Sequence, residues 1–278
     1  MNPTVKRAAR LFVICRLVML SSAWSYGSDS GTSTPQVNNS SVQDFYIGRV
    51  SNLSTSSCDT QYFTGNEGSF NTYGYAFLAG PAPLIGNAAF SFGVQQATNA
   101  YNCLYYGHNL AFTGQTIFGD VENTGSNYYG WYPSPAPGSA DWQANVNVVS
   151  GFVSELQTLI GIPGGIYING NDLSLFFDNW GWGNKWFPAW QAGLGTCNMP
   201  TNNYLSNPTG PQAPYVNDHN NNLAGNCLIM GQEMIVWQYQ LGSIDYDISA
   251  SMNDEHCMLW TTQPHIYYIC GNSFPATY

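Results

Sequence analysis

Asp120 and Glu122 stand two residues apart in Thr116-Ile117-Phe118-Gly119-Asp120-Val121-Glu122-Asn123. After a short apolar run, that spacing puts both carboxyls on one side of an expected β-strand. Two acids held close push each other's proton affinities apart, so that one can donate a proton while the other stays ionised. Cleavage of a glycosidic bond needs that division of labour. A surface turn with two solvated acids has the same spelling, so the surrounding elements must decide between the two readings.

Further acids occur near other expected strand ends. Ile244-Asp245-Tyr246-Asp247 follows the apolar run Ile235-Val236-Trp237-Gln238-Tyr239, and Gly27-Ser28-Asp29 lies at the start of the expected mature chain. Glu122, Asp120, Asp245 and Asp29 are therefore the candidate catalytic residues. Against this, Asp29 also reads as a solvated residue of a chain terminus, and Asp245 and Asp247 as turn residues. Tyr128, Tyr129, Trp131 and Tyr132 follow the Asp-Val-Glu triplet, and Trp180, Trp182, Trp186 and Trp190 follow Ile166-Tyr167-Ile168-Asn169. Sugar rings pack their C–H faces on such rings while carboxylates and amides bond the hydroxyls. Tyr128, Trp131, Tyr167, Trp190, Trp237 and Asp247 are the candidate substrate contacts, although aromatic side chains equally fill cores.

Other chemistries find less support. His108, His219, His256 and His265 form no H-E-x-x-H or similar ligand set, so no metal and no cofactor is expected. There is no G-x-S-x-G for a serine nucleophile. Only 8% of the residues are charged, and after residue 26 two basic residues, Arg49 and Lys185, face all sixteen acids. Such a body repels phosphate backbones and anionic membranes, which argues against nucleic acid as a partner.

The elements that must position these residues alternate in type. Strands are expected at Phe45 to Val50, Tyr75 to Ala79, Thr116 to Glu122, Gly165 to Asn169, Phe187 to Gln191 and Ile235 to Tyr239. A helix is expected from about Ala88 to Leu110, and a second carries Trp142, Val146, Val149, Phe152, Val153, Leu156 and Leu159 on one stripe until Gly161. Strand alternating with helix implies parallel β-structure with crossover helices. With 278 residues, the fold expected is α/β, a (β/α)8-type TIM barrel with some helices shortened or replaced by loops.

Lys6, Arg7 and Arg10 precede the apolar stretch Leu11 to Leu20 and the small residues Ser21-Ser22-Ala23, a signal-peptide layout over residues 1–25 that implies a secreted, extracellular protein. Cys58, Cys103, Cys197, Cys227, Cys257 and Cys270 remain, an even number without C-x-x-C spacing, which reads as disulfides. Fifteen pairings are open; proximity points to Cys257 with Cys270 and Cys197 with Cys227. Residues 26–250 form the expected barrel domain, with a disulfide-tied Asn-, Pro- and Gly-rich insertion at 196–227, and residues 251–278 an extension.

The order of these motifs resembles the glycoside-hydrolase-like TIM-barrel family called domain of unknown function 1906, a relative of the family 25 lysozymes. Gly27-Ser28-Asp29 resembles its opening Gly-Phe-Asp, Tyr46-Ile47-Gly48-Arg49 its second strand, and Asp120-Val121-Glu122 its D-x-E element. Gly164-Gly165-Ile166-Tyr167, Ala189-Trp190 and Trp237-Gln238-Tyr239 with Asp245-Tyr246-Asp247 are similar to its later strands. The resemblance implies Glu122 as general acid, Asp120 as its partner, and Asp29 and Asp245 completing an acidic cleft. Ser28 departs from the family's bulky residue. The function expected is a secreted, monomeric glycoside hydrolase acting on peptidoglycan or another cell-wall or extracellular polysaccharide, with no membrane contact after signal cleavage. The alternative is a non-catalytic glycan-binding barrel with a vestigial acidic site.

Overall fold

A computed structural model describes residues 24–30, 45–59, 71–107, 116–161, 164–178, 189–192, 228–229, 232–240, 245–252, 257–262 and 265–270. The leader, the Asn-rich insertion with Cys197 and Cys227, and Trp180, Trp182 and Trp186 lie outside them. The chain is mixed α/β around one sheet. β1 (Trp24–Ser30), β2 (Phe45–Asn52), β3 (Asn71–Phe77), β4 (Ile117–Val121), β5 (Gly165–Asn169), β6 (Ala189–Ala192) and β8 (Gln232–Gln240) pair in parallel in that order. β7 (Leu228–Ile229) pairs antiparallel with β8. β9 (Asp245–Met252) runs antiparallel to both β1 and β8, which departs from a regular (β/α)8 arrangement. β10 (Cys257–Thr262) and β11 (His265–Cys270) extend from β9 as an antiparallel pair, so the expected extension continues the sheet.

The helices cover one face. α1 (Gly86–Asn102) runs into a π-helical turn, Cys103–Gly107, and the rest of the helix expected to Leu110 lies outside the described residues. α2 (Ala140–Ile160) is capped by the Ser139 side chain, which accepts from the Trp142 N–H, and stops at Gly161, whose φ of 83° is the left-handed C-cap glycine favours. α3 (Gly170–Phe177), not expected from periodicity, follows β5 directly. Ile117, Val121, Ile166 and Ile168 are buried on the helix side of the sheet. α1 and α2 cross at two glycines. A Cβ on Gly93 would lie 2.0 Å from the Val148 carbonyl oxygen, and one on Gly151 2.2 Å from that of Phe90. Gly93→Ala is therefore expected to force the helices apart and cost about 1–3 kcal/mol, read as a lower urea midpoint.

The opposite face carries the acids. Asp29, Ile47 and Tyr73 are in register across β1, β2 and β3, and Phe77, Asp120, Tyr167 and Trp190 across β3 to β6. Ile47, Tyr73 and Phe118 are fully buried and floor the acid end. Because β9 is antiparallel, its first residue, Asp245, lies at the C-terminal ends of the parallel strands, paired with Asp29.

Among the cysteines, Cys58 and Cys103 form a disulfide, a pairing not among the two that proximity suggested. It joins the segment after β2 to the end of α1. Cys257 and Cys270 are register partners across β10 and β11.

Candidate active site

The competing reading of Asp29 and the strand placement of Glu122 are both revised. Asp29 belongs to β1, 5% exposed, and is not a residue of a solvated terminus. Glu122 is the first residue beyond β4, which ends at Val121, so the same-side-of-a-strand geometry holds Asp120 alone. Glu122 is half-buried there, at the exit from the sheet.

Asp120 is 7% exposed, and its Oδ1 is buried without a hydrogen-bond partner among the described residues. Burial first, then the charges of Glu122 and Asp29, and last that of Asp172, hold its carboxyl well above the ordinary carboxylate range; Arg49 acts in the opposite direction. Asp29, Asp120 and Glu122 therefore share one electrostatic neighbourhood. Arg49 is the one lysine or arginine among the described residues. Its Nε and Nη2 meet Asp59 Oδ2 at 2.9 and 2.8 Å, and Asp59 stands beside Cys58 of the disulfide.

Buried amides lock the rim. Gln96 of α1 donates to the Ala79 carbonyl and accepts from the Ala79 N–H, at 3.0 and 2.7 Å. Asn145 of α2 donates to the carbonyls of Tyr132 and Phe176 and accepts from the Tyr132 N–H. The loops after β3 and β4 are also joined to each other, with the Gly80 and Ala82 N–H groups donating to Tyr129 and Gly130 carbonyls at 2.9 Å.

The aromatic candidates divide. Trp131 is corrected from a sugar platform to a core residue. It is 2% exposed, its indole N–H donates to the Leu78 carbonyl at 3.3 Å, and its ring packs on Phe176 and Phe177. Tyr128 is half-buried edge-on against Phe176. Tyr167 is 6% exposed, in register with Asp120. Trp190 continues that row in the backbone register, whereas Trp237 is paired with Gln191 in the next row and Asp247 with Gly27 and Gln238.

Three residues absent from the candidate list join the site. Phe77, half-buried and in register with Asp120, meets the Tyr129 ring edge-on at 5.0 Å. Arg49 supplies positive charge to Asp120. Asp172 in the first turn of α3 is fully buried, and burial raises its proton affinity against the opposing hydrogen bonds from Asn123 and Asn169. The readable signal for Asp172 was Asn169-x-x-Asp172, a capping-box spacing directly after a strand.

No family model matches the chain, and no curated protein sequence matches it. The specific resemblance to domain of unknown function 1906 is thus not carried by a family model. Solved structures do match in fold. A family GH25 lysozyme from Aspergillus fumigatus is 17% identical, with 82% of this chain and 95% of that chain covered at a TM-score of 0.50. A muramidase from Acremonium alcalophilum is 15% identical, covering 83% and 94%, also at 0.50. The Clostridium perfringens spore cortex lytic enzyme SleM is 14% identical, covering 88% and 76%, at 0.53. The chain therefore has a fold like that of the GH25 lysozymes.

Proposed function

We propose that this protein is an exported glycoside hydrolase of the muramidase type, cleaving the glycan strands of peptidoglycan at the acidic cluster of Asp29, Asp120, Glu122 and Asp245. One observation carries the reading: a buried carboxyl, Asp120, with an unpartnered oxygen among the described residues, sits beside two further acids at the C-terminal strand ends. Folded chains seldom leave such an atom unpaired without a use for it. The likeness in fold to a GH25 lysozyme and a muramidase supports the substrate class. The pairing of β9 with both β1 and β8 supports closure of the sheet into an eight-stranded barrel, whose C-terminal face is where such folds build active sites. The Cys58–Cys103 disulfide supports export, and no helix among the described residues is long and apolar enough to cross a membrane.

In this account Glu122, at the exit from the sheet, touches the glycosidic oxygen and donates its proton as the bond breaks. Asp120 offers its unpartnered Oδ1 as acceptor to an N–H or O–H of the sugar and so orients it. An ionised carboxylate at Asp29 or Asp245 stabilises the positive charge that develops on the ring, and water adds to the anomeric carbon as its proton passes to the Glu122 carboxylate, which restores the acid. Phe77 and Tyr129 replace Trp131 as the aromatic surface beside the cleft, with Tyr128, Tyr167, Trp190, Trp237 and Asp247 as further proposed contacts.

The test is release of new reducing ends from peptidoglycan, chitin and plant or fungal glucans, run beside pull-down on the same insoluble materials. Release from peptidoglycan supports the reading. Retention on a glycan with no release from any of them overturns it in favour of a binding module.

A further inference from the structure

Resting on the glycosidase reading, we propose that Asp172 and Asn123 are positioning residues: a brace from the first turn of α3 that fixes Glu122 where it can reach the scissile bond. β4 ends at Val121, so Glu122 and Asn123 lie just beyond the strand. Asp172 holds Asn123 there. Its Oδ2 accepts from the Asn123 backbone N–H at 3.2 Å, and its Oδ1 accepts from Asn123 Nδ2.

The same carboxyl is aligned from behind. Asn169, the last residue of β5 and N-cap of α3, donates from Nδ2 to Asp172 Oδ2 at 2.6 Å and accepts from the Asp172 N–H at 2.9 Å. Capping α3 needs only the bond from the Asp172 N–H to Asn169 Oδ1. The pair of bonds to Asn123 does nothing for the helix; both act on the residue next to Glu122. Burying a carboxyl completely is costly unless its oxygens are occupied. Here the donors come from the segments leaving two adjacent parallel strands, so the brace ties the β4 exit to the β5 exit. A reacting group displaced by about 1 Å can lose about 100-fold in rate, which makes such a tether worth its cost.

The role predicts a change in turnover without a change in binding. Asn123→Ala, at a half-buried position, is expected to lower kcat on peptidoglycan about 10- to 100-fold with KM within about twofold, and to lower the melting temperature by a few degrees because Asp172 Oδ1 loses its donor. Amide hydrogen exchange gives a readout independent of activity. The Asn123 N–H is expected to be protected in the wild type and to exchange faster in Asp172→Asn, whose amide meets three donors with one acceptor oxygen. If the wild type turns over and Asn123→Ala keeps kcat within twofold, the positioning role is overturned and the glycosidase reading stands. An Asn123 amide as unprotected in the wild type as in Asp172→Asn overturns the brace. A wild type that releases nothing from peptidoglycan overturns the glycosidase reading and the positioning role with it, whatever the exchange shows of the bonds.

Discussion

Glu122→Gln is expected to lower turnover by about 10²- to 10⁴-fold, the range over which general acids act, with KM little changed. The substitution keeps the shape and hydrogen-bonding reach of the side chain and removes only the transferable proton. Glu122 is half-buried just outside β4, so the variant should fold with a stability within about 0.5 kcal/mol of the wild type. A second consequence separates this variant from a merely damaged one. The Glu122 charge is the largest electrostatic contribution, after burial, that raises the proton affinity of Asp120. With that charge gone, the Asp120 carboxyl should titrate at lower pH, which carboxyl NMR on selectively labelled protein can follow. Equal turnover in the two proteins would remove Glu122 from the chemistry.

Asp120→Asn is expected to abolish most activity while making the protein more stable at neutral pH, by about 0.5–2 kcal/mol, the usual yield of relieving a functional site. The sign follows from the direction of the shift. Burial and neighbouring acids raise the folded-state proton affinity of Asp120 above its unfolded value. Its favourable contribution is therefore complete below the ordinary carboxylate range and is lost as pH rises through the raised folded-state value. An asparagine does not titrate, so it escapes that loss. Urea unfolding at pH 4 and pH 7 should show the two proteins close together at the lower pH and the variant ahead at the higher. A variant less stable by the same margin at both values would mean that the Asp120 carboxyl makes a structural bond instead.

The sequence made some of this legible and hid the rest for identifiable reasons. The strand that carries Asp120, the apolar stripe of α2 with its closing Gly161, and the Gly165 to Asn169 strand are local patterns, and each is present in the fold. Boundaries were less readable: β3 lies at Asn71–Phe77, upstream of the expected Tyr75 to Ala79, because its outgoing residues are apolar as well. Position along a sheet is non-local. Nothing in Gly27-Ser28-Asp29 distinguishes a terminus from a strand until β2 and β9 flank it. Trp131 shows the same limit, since an indole that bonds the Leu78 carbonyl and packs on Phe176 is spelled like one that faces a sugar. The Cys58–Cys103 link joins residues 45 apart in sequence, where proximity favoured nearer partners. Asn169-x-x-Asp172 was readable as a helix start, but the bonds from Asp172 to the residue beside Glu122 depend on how two strand exits meet.

The most direct test of the account is the identity of the sugar left at the cut. Purified peptidoglycan is digested with wild type and with Glu122→Gln, the products are reduced with borohydride, and their ends are read by mass spectrometry. Muramidase action with Glu122 as the acid predicts reduced N-acetylmuramic acid ends from the wild type and a loss of nearly all of them in the variant. No new reduced sugar ends from the wild type, or the same yield from both proteins, would contradict it.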